Sequence, residues 1–248
     1  MGKATDFIFG LRPVIEAIRE GRQVERLLIK QNLQGQLYHE LMKEASANNI
    51  PFQIVPVERI NLHTRKNHQG VLAFISPVEY QKIENILPAV FEQGEDPLFI
   101  CLDGVSDVRN FGAVVRSASC MGAHAIVIPA RGSARITADA VKTSAGALNH
   151  FPVCRVKSIT GGIEFLKESG LKVICADEKS SLSVFDADLS GPVVLIMGSE
   201  DRGISGELLK ISDLVVKIPV TGQIGSLNVS VAAGIMLYEI MRQRSVHR

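Results

Sequence analysis

The sequence predicts an α/β protein, a C-terminal parallel-sheet domain preceded by a small N-terminal α/β domain. Strongly apolar runs recur at 98–102, 124–128, 172–176 and 193–197. Runs of that length suit strands buried on both faces, as the strands of a parallel sheet are. Helical periodicity fills the intervals, and alternating strand and helix is the pattern of a sheet covered on both faces. Finally, Pro77, Pro88 and Pro97 punctuate a segment ending in E-Q-G-E-D, the composition of a joint between domains. The expected divisions are a small domain over 1–78, a linker over 79–96 and a large domain over 97–248.

The small domain opens with a short amphipathic helix over 9–21, with Pro13 near its start and Gly21 as its stop. A strand at 24–30 follows. Residues 35–49 form a helix with Leu37, Leu41, Met42 and Ala45 on one face. A strand at 51–55, a short helix at 57–62 and a strand at 70–76 complete the unit. Between the last two lies H-T-R-K-N-H-Q, basic and without an apolar face. It reads either as a solvated loop or as an RNA contact. In the second reading Arg65 and Lys66 meet phosphates, while Asn67, His63 and His68 offer hydrogen bonds.

In the large domain the strand at 98–102 runs into D-G-V-S-D-V-R-N-F-G and a helix over 113–121. A helix of small residues is expected over 139–148, a strand at 153–156 and a helix at 163–168. After the strand at 193–197 come a helix at 207–211, a last strand at 214–218 and a long helix over 228–244. Three loops follow strong strands, at 103–112, 198–205 and 219–228, and in open α/β sheets ligands sit at those strand ends.

Composition narrows the chemistry. The 248 residues are 46% hydrophobic and 21% charged, with a net charge of +1, which suits a globular chain with a full core. No apolar stretch reaches the ~18 residues of a membrane span, and Lys3 and Asp6 interrupt any signal-like start. A cytoplasmic protein with no membrane partner is expected. Cys101, Cys120, Cys154 and Cys175 are scattered, which argues against structural zinc or a disulfide framework; no metal is expected. The first 78 residues hold ten Lys/Arg against seven Asp/Glu, a mildly basic balance compatible with phosphate contacts. No G-x-G-x-x-G is present. The near phosphate-loop G-S-E-D-R-G-I-S at 198–205 has Ile204 where lysine is needed, and its Glu200 and Asp201 would repel phosphate. A neutral or zwitterionic cofactor held by main-chain groups in an apolar pocket fits better.

Three stretches, N-F-G-A-V-V-R at 110–116, I-M-G-S-E-D-R-G-I at 196–204 and I-P-V-T-G-Q-I-G-S-L-N-V-S-V-A-A at 218–233, resemble the three motifs of the SpoU/TrmH RNA ribose methyltransferases of the SPOUT class. The resemblance is strong over 97–248. The first domain is similar to the ribosomal-protein-like substrate-binding module that many members carry. With Phe9–Gly10 and N-H-Q-G-V at 67–71, it points to the branch acting on guanosine 2′-hydroxyls of bacterial large-subunit (23S) rRNA. Ribose methylation of tRNA is the first alternative, and a non-catalytic RNA-binding or ribosome-assembly factor the second.

The resemblance implies a deep trefoil knot in the C-terminal segment, a homodimer, RNA rather than DNA as partner, and S-adenosylmethionine as methyl donor. It implies Arg116 nearest the chemistry. A guanidinium is effectively always protonated, so its service would be to lower the hydroxyl's pKa and hold a phosphate. Asn110, by this resemblance, braces Arg116 or the substrate, and as a residue it could equally cap its helix. Glu200 would orient Arg116 or the nucleotide, and Ser226 and Asn228 would position the 2′-hydroxyl. Met197, Gly198, Ile218 and Leu227 would line the cofactor, with Ser144 and Gly146 in the same pocket.

Overall fold

The computed structural model describes residues 7–246, so Lys3 and Asp6 lie outside the described residues. The chain divides into two compact units, Met1–Glu79 and Tyr80–Arg248.

The small unit contains β1 (Phe7–Phe9), α1 (Leu11–Arg19), β2 (Val24–Lys30), α2 (Gln36–Ala47), β3 (Phe52–Val55), α3 (Val57–Asn61) and β4 (Val71–Ile75). The sheet order is β1-β4-β2-β3, with β4 antiparallel to β1 and β2, and β2 parallel to β3. Strand alternation decides which residues face which helices. Leu27, Ile29, Val71 and Ala73 point to one face and pack with Leu11, Val14, Ile15, Ile18, Leu41 and Ala45 of α1 and α2. Leu28 and Leu72 point to the other and meet Ile60 of α3. β1 is absent from the sequence reading, because three residues are too few to show a period of two.

The large unit holds β5 (Tyr80–Gln81), α4 (Ile83–Glu92), β6 (Leu98–Asp103), α5 (Val108–Cys120), β7 (Ala125–Pro129), α6 (Ala138–Thr143), β8 (Val153–Val156), α7 (Ile159–Glu168), β9 (Lys172–Ala176), β10 (Val193–Gly198), α8 (Gly206–Ile211), β11 (Leu214–Val216) and α9 (Val229–Val246). All its strands are parallel, in the order β11-β9-β10-β6-β7-β8-β5. On one face Phe99, Cys101, Val127, Cys175, Val194 and Ile196 pack with Ile163, Leu166 and Leu208, which explains why the strands read as unbroken apolar runs. Among the described residues no helix is long and apolar enough to cross a membrane.

Two expectations change. Residues 79–96 are not a linker: β5 pairs with β8, and Ile83 and Leu87 of α4 are buried in the large core. The prolines marked a change of unit at Glu79 while apolar burial carried the rest into the second unit. The helix expected over 139–148 is broken. Ala145 and Gly146 take the left-handed conformation (φ 52° and 85°), leaving α6 and a 3-10 turn at Ala147–Asn149. The break lets α6 press on α5: a Cβ at Gly112 would lie 2.8 Å from both Ala140 O and Thr143 Cβ.

The C-terminal segment, where the threading of the knot is expected, is tied to the helix-free crossover from β9 to β10. Lys217 N donates to Leu182 O at 2.8 Å, and Val184 N donates to Lys217 O at 2.9 Å. Further along, Gln243 Oε1 accepts from Leu189 N at 2.8 Å.

Candidate active site

The site is built where β6 and β10, hydrogen-bonded neighbours at the centre of the sheet, both end. After β6 the chain turns into α5, whose N-cap is Asp107: its Oδ1 accepts from Arg109 N at 2.9 Å and Asn110 N at 2.8 Å. That settles one reading of Asn110, which does not cap its helix. With the cap supplied three residues earlier, the Asn110 amide is free to point out of the first turn.

After β10 the backbone folds back at once. Ser199 N donates to Gly203 O at 3.2 Å and Gly203 N to Ser199 O at 2.8 Å, closing a tight turn that presents Glu200 at its tip. The turn lies directly on Gly198, where a Cβ would come within 2.2 Å of Gly203 C and 2.4 Å of Ile204 N. Ser205 N then donates to Asp103 Oδ2 at 2.7 Å, which fastens this turn to the end of β6.

The third component arrives from the C-terminal segment. Asn228 caps α9: its Oδ1 accepts from Ser230 N at 2.9 Å and from Ser230 Oγ at 2.6 Å. An amide whose oxygen is so engaged must turn its NH2 the other way. It does, donating to Glu200 Oε1 at 2.7 Å and to Asn110 Oδ1 at 3.0 Å. Asn110 Nδ2 donates to the same Glu200 Oε1 at 3.0 Å. Three residues separated by 90 and 28 positions thus form a closed triangle. Glu200 Oε1 accepts two amide hydrogens, while Oε2 accepts none from the described residues.

Beside the triangle opens a cavity of about 330 Å³, within the range for small-molecule sites. Met197, Ile218, Val220 and Leu227 give it apolar walls, and Gly198, Gly203 and Gly225 expose main chain to it. Ala176–Lys179, the turn after β9, closes the far side.

These features coincide with a known family. Residues 97–238 match the SpoU rRNA Methylase family, and residues 7–81 match a domain described as RNA 2′-O ribose methyltransferase substrate binding. The chain belongs to the SpoU rRNA methylase family. A Bacillus subtilis relative named for the TrmH family of tRNA/rRNA methyltransferases is 33% identical, over 99% of this chain and 98% of its own. Among solved structures, the SpoU methyltransferase AviRb of Streptomyces viridochromogenes in complex with AdoMet is 27% identical. It superposes with a TM-score of 0.61, covering 97% of this chain and 90% of that one. An AdoMet-bound rRNA methyltransferase of Sinorhizobium meliloti is 26% identical with a TM-score of 0.60, covering 95% and 86%.

In this SpoU family member the expected catalytic and cofactor residues fall into four groups. Asn110, Glu200 and Asn228 are joined directly, and Met197, Gly198, Ile218, Ser226 and Leu227 line the cavity. Arg116 stands apart. It is exposed on α5, six residues beyond Asn110, roughly 9 Å along the axis and about 240° around it. It makes no hydrogen bond or ion pair with the described residues, so the expected bracing of Arg116 by Asn110 or Glu200 does not occur within one chain. Ser144 and Gly146 are outside the cavity. Ser144 is buried, its hydroxyl donating to Val141 O at 2.8 Å and accepting from Leu148 N at 3.2 Å, and Gly146 serves the left-handed break after α6. Both shape the turn that α5 packs on.

The basic loop of the small unit also divides. His68 has both ring nitrogens engaged within the chain: its Nδ1 accepts from Gly70 N at 3.0 Å and its Nε2 pairs with Asn61 Oδ1 at 3.0 Å. His63 lies edge-on to Phe74, ring centres 5.0 Å apart. Arg65, Lys66 and Asn67 point to solvent. Sequence reasoning missed Asp107, Asp103, Ser230 and the turn Ala176–Lys179. The first and third had a readable signal, an oxygen-bearing side chain at a helix start.

Proposed function

We propose that this chain transfers the methyl group of S-adenosylmethionine to a ribose 2′-hydroxyl of RNA, in a guanosine of large-subunit (23S) rRNA. The observation that carries the reading is the Asn110–Glu200–Asn228 triangle at the edge of a cavity with apolar walls and exposed main chain. The donor set suits the cofactor: apolar side chains for an adenine ring, and carbonyls and amides for its polar groups. Met197, Gly198, Ile218 and Leu227 would hold it. When bound, S-adenosylmethionine supplies an activated methyl group on a sulfonium. The AdoMet complex of AviRb supports the assignment.

The protein's own part is to bring the hydroxyl into line and manage its proton. Glu200 is fixed through Oε1 by two amides, and its Oε2 is left to accept the hydrogen bond of the 2′-hydroxyl. Asn110 and Asn228 keep that carboxylate from swinging. Arg116, an unpaired cation, holds the neighbouring phosphate and lowers the hydroxyl's pKa. Ser226, exposed on the loop that borders the cavity, hydrogen-bonds the ribose or the next phosphate.

We further propose a homodimer with the site near the subunit interface. Val231, Ile235 and Tyr238 repeat at the spacing of one helix face along α9, 51%, 38% and 54% exposed, an apolar stripe that a second copy would cover. In that arrangement Arg116 is free to act with the partner's triangle.

The test is incorporation of labelled methyl from S-adenosylmethionine into transcripts of 23S rRNA and of tRNA, followed by nucleoside analysis. 2′-O-methylguanosine from the rRNA transcript supports the reading. The same product from tRNA alone would move the substrate to tRNA. Absence of incorporation into either, together with no cofactor binding by calorimetry, would leave a non-catalytic RNA-binding factor.

A further inference from the structure

The cavity beside the triangle is bordered by a strand end that lies outside the stretches 110–116, 196–204 and 218–233. Ala176 closes β9, in register with Met197 of β10 on one side and Val216 of β11 on the other. Asp177, the next residue, therefore leaves the sheet one strand over from Gly198, and neighbouring strands lie about 4.8 Å apart. Asp177 lines the cavity.

The backbone around Asp177 is tied on every side. Its N–H donates to Val216 O at 2.9 Å, and its carbonyl accepts from Ser180 N at 3.1 Å, which closes a turn over 177–180. Ser180 Oγ donates to Val215 O at 2.6 Å, so the far end of the turn is fastened to β11 as well. Asp177 Oδ1 accepts from Lys179 N at 2.9 Å. Main chain thus orients the carboxylate at a strand end, while Oδ2 accepts from no donor among the described residues.

The other charged groups of the cavity are placed differently. Glu200 is held in the triangle. Glu178 and Asp201 are exposed, whereas Asp177 is half-buried. Lys179 and Arg202 carry donors only. A half-buried carboxylate oxygen is stabilised by a donor, and an unmatched one is costly to cover with a ligand. A carboxylate supplies acceptors alone, so its complement is a group rich in O–H or N–H. The vicinal hydroxyls of a ribose are such a group. In S-adenosylmethionine the ribose joins the adenine, which suits the apolar walls, to the sulfonium, whose methyl must reach the hydroxyl accepted by Glu200. It passes between them, where the strand ends lie.

We propose that Asp177 recognises the ribose of the methyl donor, Oδ2 accepting hydrogen bonds from its vicinal hydroxyls. The proposal rests on the S-adenosylmethionine reading and adds a side-chain determinant for a ribonucleoside to a cavity otherwise built of apolar walls and main chain.

The test is calorimetry of the full chain and its D177N variant with the stable thioether S-adenosylhomocysteine and its 2′-deoxy and 3′-deoxy forms. Asp177→Asn keeps an oxygen for Lys179 N and puts an NH2 where Oδ2 stood, so the turn is retained. The wild-type chain should bind the ribose form about 10- to 100-fold more tightly than at least one deoxy form, the range of a hydrogen bond to a charged acceptor. In D177N that preference should shrink to a few-fold. A D177N chain that keeps the full preference, or a wild-type chain that binds all three ligands alike, overturns the assignment and leaves the methylation reading standing. So does an equal loss of affinity for all three, which would give the carboxylate to the ammonium of the methionine end, or a preference that disappears in E178Q instead. If the wild-type chain binds none of the three, the cofactor reading falls with it.

Discussion

Replacing Gly198 by alanine tests the geometry of the active-site turn most directly. The added Cβ would sit 2.2 Å from Gly203 C, 2.4 Å from Ile204 N and 2.5 Å from Gly203 O. All three are backbone atoms, so no side-chain rotation can relieve the clash. Ordinary carbon contacts lie near 3.5–4.0 Å, so the 199–203 turn must retreat by about 1.3 Å. Overpacking of this kind costs about 1–3 kcal/mol, which corresponds to a fall in Tm of about 2–10 °C for a chain of this size. The retreat carries Glu200 with it, away from the amides of Asn110 and Asn228. A displacement near 1 Å at a reacting group costs on the order of 10²-fold in rate. Thermal unfolding followed by circular dichroism gives the first number, and methyl incorporation under saturating S-adenosylmethionine gives the second. A G198A variant that unfolds within a degree of wild type and keeps its rate would refute the claim that the turn rests on Gly198.

Three other outcomes are expected. Ser230→Ala removes the 2.6 Å bond that orients the Asn228 amide; kcat should drop several-fold with cofactor KM unchanged, and Ser230→Thr should restore it, whereas equal losses from both variants would assign Ser230 a packing role. Arg244 donates to Asp96 O, Pro97 O and Gly191 O at 2.9, 3.0 and 2.6 Å; Arg244→Met should destabilise the large unit by about 2 kcal/mol or more in denaturant unfolding, and a change below about 0.5 kcal/mol would contradict its role as a clamp on α9. Burial pushes the Cys154 thiol up to about 12 and that of Cys175 up to about 11, so both stay protonated thiols at pH 8 and resist alkylation. Exposed Cys120 should be the site labelled in the native protein, and mass spectrometry finding Cys154 labelled at a similar rate would mean that strand β8 opens readily.

The parts of this fold that were legible in the sequence are those written in local pattern. Residues 193–197 are apolar because β10 is covered on both faces, and Gly198 follows because the next turn leaves no room for a side chain. The triangle was legible as three residue types but not as a triangle. The sequence pointed Asn110 to Arg116, the substrate or a helix cap, and Glu200 to Arg116 or the nucleotide; no local signal tells an amide which carboxylate it will meet 90 residues away. Ser144 and Gly146 were misplaced for the opposite reason. A small-residue stretch signals close packing without naming the neighbour, which is Gly112 on α5 and not the cavity. His68 looked like an RNA ligand because it sits in a basic loop, yet Gly70 and Asn61 occupy both its ring nitrogens. The prolines of 77–97 correctly suggested that one unit ends there, but Ile83 and Leu87 belong to the next core.

Asn228 connects folding to function in one side chain. Its Oδ1 caps α9, and an N-cap is worth about 0.5–2 kcal/mol to the helix that it starts. The same amide delivers two hydrogen bonds to Asn110 and Glu200. The capped geometry is reached only when the segment after β11 has returned across the sheet to the ends of β6 and β10. The carboxylate proposed to accept the 2′-hydroxyl is therefore held in place only in a chain whose last helix has docked. Gln243 and Arg244, at the far end of α9, secure that docking against Leu189, Pro97 and Gly191. A partly folded chain keeps Glu200 on a turn tied to Asp103 but lacks the two hydrogen bonds from the Asn228 amide to Glu200 and Asn110, so the reactive arrangement is absent until the C-terminal segment is home.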